Sequence, residues 1–180
     1  MIFRWYRPTP RSPSITRLYG AIVAQARAPA FYQIYHVPDT VNGRLEMILL
    51  HLVLVLRRLD DGNAASRELG HCLFDEFCGD MDASMREMGV GDLAVPQKMR
   101  RIGDAFYARQ AAYARALMDG DTGRLAGLLH RNVFGRATQP DGAERLATYS
   151  REAVHLLATQ ERFGCGEVFF PDPAVIAIGN

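Results

Sequence analysis

Gly43-Arg44-Leu45-Glu46-Met47-Ile48-Leu49-Leu50-His51-Leu52-Val53-Leu54-Val55-Leu56-Arg57-Arg58-Leu59 is the stretch from which the fold is read. Leu45, Ile48, Leu49, Leu52, Leu56 and Leu59 recur at helical spacing, and Met47, Leu50, Val53 and Leu54, off that stripe, are apolar as well. A helix that is apolar nearly all round must be enclosed by other elements, so this one belongs in the middle of a bundle. Its longest apolar run, Met47 to Leu56 broken by His51, is about half the length that a bilayer crossing requires. Arg57 and Arg58 fall in the last turn, where cations suit the helix dipole. Asp60-Asp61-Gly62-Asn63 then breaks the pattern, while Pro38-Asp39-Thr40 opens it as a turn with a capping residue.

Helical patterns extend outward on both sides. Ser14 reads as the cap of a helix from Ile15 with Leu18, Ile22 and Val23 inward. Pro29 ends it, because the residue before a proline avoids the α region. Phe31, Tyr32, Ile34 and Tyr35 read as a helical turn. Beyond the central stretch, Leu69, Leu73, Phe77, Met81, Met85 and Met88 mark a long helix from about Ala64, with a kink expected near Gly79. Gly89-Val90-Gly91-Asp92 is a turn, and Pro96 starts a helix carrying Met99, Ile102, Phe106, Tyr113 and Leu117. After the stop and cap at Gly120 to Gly123 come a short helix (Leu125, Leu128, Leu129, Val133), a loop from Gly135 to Gly142, and a last long helix (Leu146, Tyr149, Ala153, Leu156, Leu157). Past Gly164 the chain is Gly- and Pro-rich, and Val168-Phe169-Phe170 is expected to pack back in extended form. The prediction is an all-α, single-domain bundle of about six to eight helices with its central helix near residues 43–59. Residues 1–14 read as a basic, aromatic arm, 15–165 as the helical domain and 166–180 as an irregular tail.

The 180 residues, 48% hydrophobic and 23% charged, can bury a core without staples. A net charge of +1 provides no global field for nucleic acid. Three cysteines, Cys72, Cys78 and Cys165, do not make a disulfide framework, and a reducing compartment fits them. The first residues lack the sustained apolar core of a secretory signal.

Catalytic chemistry finds little support. His71, Cys72, Asp75, Glu76 and Cys78 crowd one helix without the paired spacing of a metal site, so they read as cysteines of an apolar stripe beside a solvated acidic face. No Ser-x-x-Lys, Gly-x-Ser-x-Gly or Gly-x-Gly-x-x-Gly motif occurs. His51 lies in the most apolar helix, where a histidine is a hydrogen-bonded core residue more often than a base. No metal, cofactor or catalytic residue is assigned; the rival reading is a small helical haem-binding protein or enzyme using His51, His71 or Cys72.

Binding features are stronger. Met81, Met85 and Met88 form a methionine stripe of a kind that can grip varied apolar partners; Met81 and Met85 read as core and Met88 as surface. Lys98, Arg100 and Arg101 form a basic cluster that is either a solvated face or a partner contact. Asp75, Glu76, Asp80, Asp82 and Glu87 form an acidic face, and the two faces could meet inside the protein. In the arm, Phe3 and Trp5 stand beside Arg4 and Arg7, which suits an anionic membrane interface; a disordered tail is the alternative.

Three stretches together resemble one family: Val37-Pro38-Asp39-Thr40-Val41-Asn42-Gly43-Arg44 with the helix after it; Leu73-Phe74-Asp75-Glu76-Phe77-Cys78-Gly79-Asp80-Met81-Asp82; and Arg86-Glu87-Met88-Gly89-Val90-Gly91-Asp92-Leu93 with Pro96 to Tyr113. The chain resembles the ubiquinol–cytochrome c chaperones over most of residues 15–165. The resemblance implies an all-helical, non-catalytic assembly factor for respiratory complex III. Its mitochondrial members bind newly made cytochrome b near the ribosomal exit, with a small partner protein. It implies cytochrome b or a complex III assembly intermediate as client, a second assembly factor as a further partner, and no nucleic acid. The short arm before Ile15 points to a bacterial member, in the cytoplasm and peripheral on the inner membrane. The motif positions carried over as a client-binding region are Asp39, Arg44, Asp80, Asp82, Met88, Gly89, Val90, Gly91, Asp92, Lys98 and Arg101, with Phe3, Arg4, Trp5 and Arg7 as membrane contacts.

Overall fold

Prolines and short polar side chains decide where most of the helices begin. Helix α1 spans Pro13–Ala26, α2 Pro29–Gln33, α3 Val41–Asp60, α4 Ala64–Glu87, α5 Val95–Met118, α6 Thr122–Leu129, α7 Pro140–Ala158 and α8 Pro173–Ile178, with a π-helical turn His130–Phe134 after α6. The computed structural model describes residues 12–60, 63–135, 140–160 and 167–178, and no strand occurs among the described residues. Phe3, Arg4, Trp5 and Arg7 of the arm, and Cys165, lie outside them.

Helix α3 is the axis of the bundle, as its composition demands. Every residue from Glu46 to Leu56 is buried, and α1, α4, α5, α7 and the π-helical turn all pack against it. Helix α6 lies on α5 and α7, α1 also meets α4, and α8 rests on α7 and α2. The start of α3 is fixed by Thr40, whose Oγ1 accepts the Gly43 N–H at 3.0 Å. Gly43 is required by a close approach: a Cβ there would stand 2.0 Å from the Pro38 carbonyl oxygen. Gly70 packs closely on α3 but less severely: a Cβ on it would meet Leu56 Cδ2 at 3.3 Å, which that side chain can relieve by a small shift.

Three local expectations are corrected. Helix α1 begins at Pro13, not Ile15, because the ring presets the helical φ at the first position; Ser14 is inside the helix and Ser12 precedes it without a side-chain cap. Helix α4 is continuous from Ala64 to Glu87 and packs against α1, α3 and α5. The loop expected to reach Gly142 ends earlier, because Pro140 opens α7. A Cβ on Gly142 would lie 2.2 Å from the Tyr35 carbonyl oxygen, so its glycine reflects crowding and not a turn. The tail is not irregular throughout: Pro173 opens α8 and Asp172 Oδ1 accepts the Ala174 N–H at 2.8 Å. Val168 is buried and Phe170 packs on the core, so this stretch does fold back.

Candidate functional site

The turn between α4 and α5 is built by backbone geometry. Gly89 has φ +77°, its N–H donates to the Arg86 carbonyl at 2.9 Å, and the Val90 N–H donates to the Met85 carbonyl at 3.0 Å. This pair of bonds is a Schellman cap, which satisfies the last carbonyls of a helix and needs a residue that tolerates positive φ. Gly91 accepts from the Ala94 N–H at 2.8 Å and so leads into α5. Arg86 then clamps the turn from outside, pairing with Asp82 at 2.7 Å on its own helix and with Asp92 across the turn. Five of the predicted site residues (Asp82, Gly89, Val90, Gly91, Asp92) therefore shape one rigid corner. On that corner Met88 is 59% exposed and Leu93 is 99% exposed. Leu93 was not singled out by sequence reasoning, although a leucine among Gly and Asp in a turn has no core to serve.

The remaining predicted residues fall into separate environments. Asp80 faces α1, accepting the Tyr19 hydroxyl at 2.7 Å, and burial together with this bond pushes the Tyr19 pKa well up. Lys98, Arg100 and Arg101 are exposed on α5 and make no ion pair among the described residues. Of the acidic face of α4, Asp80 bonds Tyr19 and Asp82 pairs with Arg86, and neither pairs with this basic cluster. Asp39 and Arg44 pair bidentately at the start of α3, at 2.6 and 3.2 Å, and Arg44 holds the Asp39 carboxyl below its ordinary range. They border a shallow cleft of about 410 Å³ with Arg27, Tyr32 and Gln33. Among the described residues no hydrogen bond links this cleft to the α4–α5 corner.

The residues of the rival reading are dispersed. His51 is fully buried in α3, with Nδ1 2.7 Å from the Met47 carbonyl and Nε2 2.9 Å from the Tyr149 hydroxyl. A carbonyl only accepts, so Nδ1 carries the proton and Nε2 accepts from Tyr149. The Tyr149 oxygen in turn accepts from Gln25 Nε2 at 3.0 Å. Burial pushes the His51 pKa down to about 4. Both ring nitrogens are engaged, so His51 is a core residue. His71 is exposed on α4, beside a half-buried Cys72. Burial pushes the half-buried Cys78 thiol up to about 12, far from a nucleophile. Among the described residues no group of three or more His, Cys, Asp or Glu could hold a metal ion.

One buried charge pair escaped the sequence reading. Arg109 of α5 grips Glu46 of α3 bidentately, at 2.6 and 2.5 Å, and also donates to the Ala105 carbonyl. Glu46 is buried, and burial outweighs the arginine in pushing its carboxyl above the ordinary range. An acid within the apolar stretch of α3 is a signal that a basic partner must exist; nothing in sequence spacing names Arg109 as that partner.

These features define an all-helical bundle with an exposed apolar corner between α4 and α5. No helix among the described residues is long and apolar enough to cross a membrane. Residues 33–163 match the family model described as ubiquinol-cytochrome C chaperone, and the chain belongs to that family. It is similar to ubiquinol-cytochrome-c reductase complex assembly factor 1 of Xenopus laevis, 25% identical over 79% of this chain and 72% of that protein. The human protein of that name is 26% identical over 78% of this chain, which spans only 47% of the human length. Among solved structures, the Cbp3 homolog from Brucella abortus superposes with a TM-score of 0.82, at 36% identity, over 89% of this chain and 90% of that one.

Proposed function

We propose that this chain is an assembly chaperone for ubiquinol–cytochrome c reductase, holding cytochrome b or an early intermediate of the complex without catalysis. The observation that carries the reading is the family match across residues 33–163, joined by likeness to assembly factors over most of the chain. Its working surface is the α4–α5 corner, where Met88 and Leu93 offer adaptable apolar area and Lys98 and Arg101 stand next in the chain. Asp82 and Asp92 act there by holding Arg86, and so the turn, in one shape. The likeness to a Brucella abortus protein supports a bacterial origin; the bacterial cytoplasm, peripheral on the inner membrane, is the setting of this reading. Arm residues Phe3, Arg4, Trp5 and Arg7 are the lipid contacts of this reading, and a second assembly factor is a further partner.

The test is deletion of the gene in its native host, followed by a membrane spectrum and assay of complex III. Loss of the cytochrome b signal, restored by the wild-type chain and not by Leu93→Asp, is the expected result. Unchanged cytochrome b and complex III levels after deletion would reject the assembly role.

A further inference from the structure

The segment from Val168 to Pro173 crosses the most aromatic part of the bundle. Its side chains differ in exposure: Val168 is buried, Phe169 is exposed, Phe170 packs inward, Pro171 is half-buried, Asp172 is exposed and Pro173 is buried. The Phe170 ring lies 5.2 Å from that of His51, nearly perpendicular to it. Beneath, Tyr149 packs edge to face on Phe31 and Tyr35, with Phe31 and Tyr149 centroids 4.8 Å apart, and the Phe31 and Tyr35 rings are tilted by 59°.

Side chains of the bundle hold the main chain of this segment. Gln160 accepts the Phe169 N–H at 2.9 Å and donates to the Phe169 carbonyl at 2.8 Å. Gln25 donates to the Pro171 carbonyl at 3.1 Å, and Tyr35 donates to the Pro173 carbonyl at 2.8 Å. Each of these bonds ends on backbone, so none depends on which side chains the held segment carries. Selection is left to the inward positions, 168, 170 and 173. Grooves that bind extended peptides work in this way: backbone bonds supply affinity and alternate side-chain pockets supply specificity.

We infer that this aromatic groove is a peptide-binding site, filled here by residues 168–173 of the chain itself. Its partner ligand is an extended protein segment bearing an apolar residue, an aromatic two positions on and a proline three further. The chain's own segment competes for the groove, so a partner enters by displacing it. The inference rests on the bonding of the segment and is independent of the complex III assignment.

The probe is a fluorescein-labelled peptide of residues 167–178, titrated by polarisation into full-length protein. The expected result is binding at least roughly tenfold tighter to the Phe170→Ala chain than to wild type, because the internal competitor has lost its anchor. Adding Tyr35→Phe to that chain then weakens binding severalfold, and a peptide carrying Phe170→Asp binds no chain. Where circular dichroism shows that Phe170→Ala is not folded, Asp172→Ala, an exposed change that removes only the α8 cap, carries the same test with a gain of about fivefold. Equal affinity for wild type and the folded variant, no binding to either, or equal binding of the Phe170→Asp peptide overturns the inference.

Discussion

Mild acid should destabilise this protein through one histidine. His51 is neutral in the folded chain, with its pKa pushed down to about 4 by burial. Once unfolded it titrates near 6.5, the ordinary value. Between those values the unfolded state binds a proton that the folded state refuses, so stability is present above about pH 6.5 and is lost as pH falls toward 4. Each pH unit in that window is worth about 1.4 kcal/mol, so roughly 2 kcal/mol is gone by about pH 5. For a chain of this length that is a fall in Tm of roughly 4–8 °C. Other groups also titrate: Glu46, held high by burial, opposes the loss, whereas the Asp39 carboxyl, held low by Arg44, adds to it only below about pH 4. They are common to wild type and a His51→Gln chain, which keeps a donor and an acceptor but binds no proton. The measurement is therefore Tm by circular dichroism at about pH 7.5 and about pH 5 for both chains. Wild type should lose several degrees more than His51→Gln. The same pH dependence in both chains would refute the assignment of a neutral, doubly bonded His51.

Three further outcomes follow from the geometry. Arg109→Met, which strands the buried Glu46 carboxylate, should cost about 3–5 kcal/mol in urea unfolding; adding Glu46→Leu should return most of that loss. Gly43→Ala drives a Cβ against the Pro38 carbonyl and disturbs the Thr40 cap, so a loss of about 2 kcal/mol or more is expected in the same assay. The two glycines of the α4–α5 turn should separate: Gly89→Ala, at positive φ, loses about 1 kcal/mol, while Gly91→Ala, with open space around it, stays within about 0.5 kcal/mol of wild type.

The predicted site was legible only in part. Met88 could be placed on the surface because it ends an apolar stripe at a glycine turn, and it is exposed there. The Gly-Val-Gly-Asp turn was visible as a break, yet only Gly89 takes the left-handed backbone. That distinction depends on which amide reaches which carbonyl at the end of α4. Asp80 and Asp82 looked like one acidic face, but Asp80 binds Tyr19 of α1 and Asp82 binds Arg86 of α4.

The sequence by itself determined the helical class and the axis of the bundle. Periodicity and composition are local properties: an apolar circumference from Leu45 to Leu59 leaves its helix nowhere to go but the centre, and prolines, Thr40 and glycines mark the breaks. Only the tertiary structure decided which distant groups meet. Glu46 finds Arg109, His51 finds Tyr149, and Pro171 and Pro173 find Gln25 and Tyr35 across most of the chain. Such partnerships arise from helix packing angles and the depth at which each side chain is buried, and no spacing along a single chain encodes them.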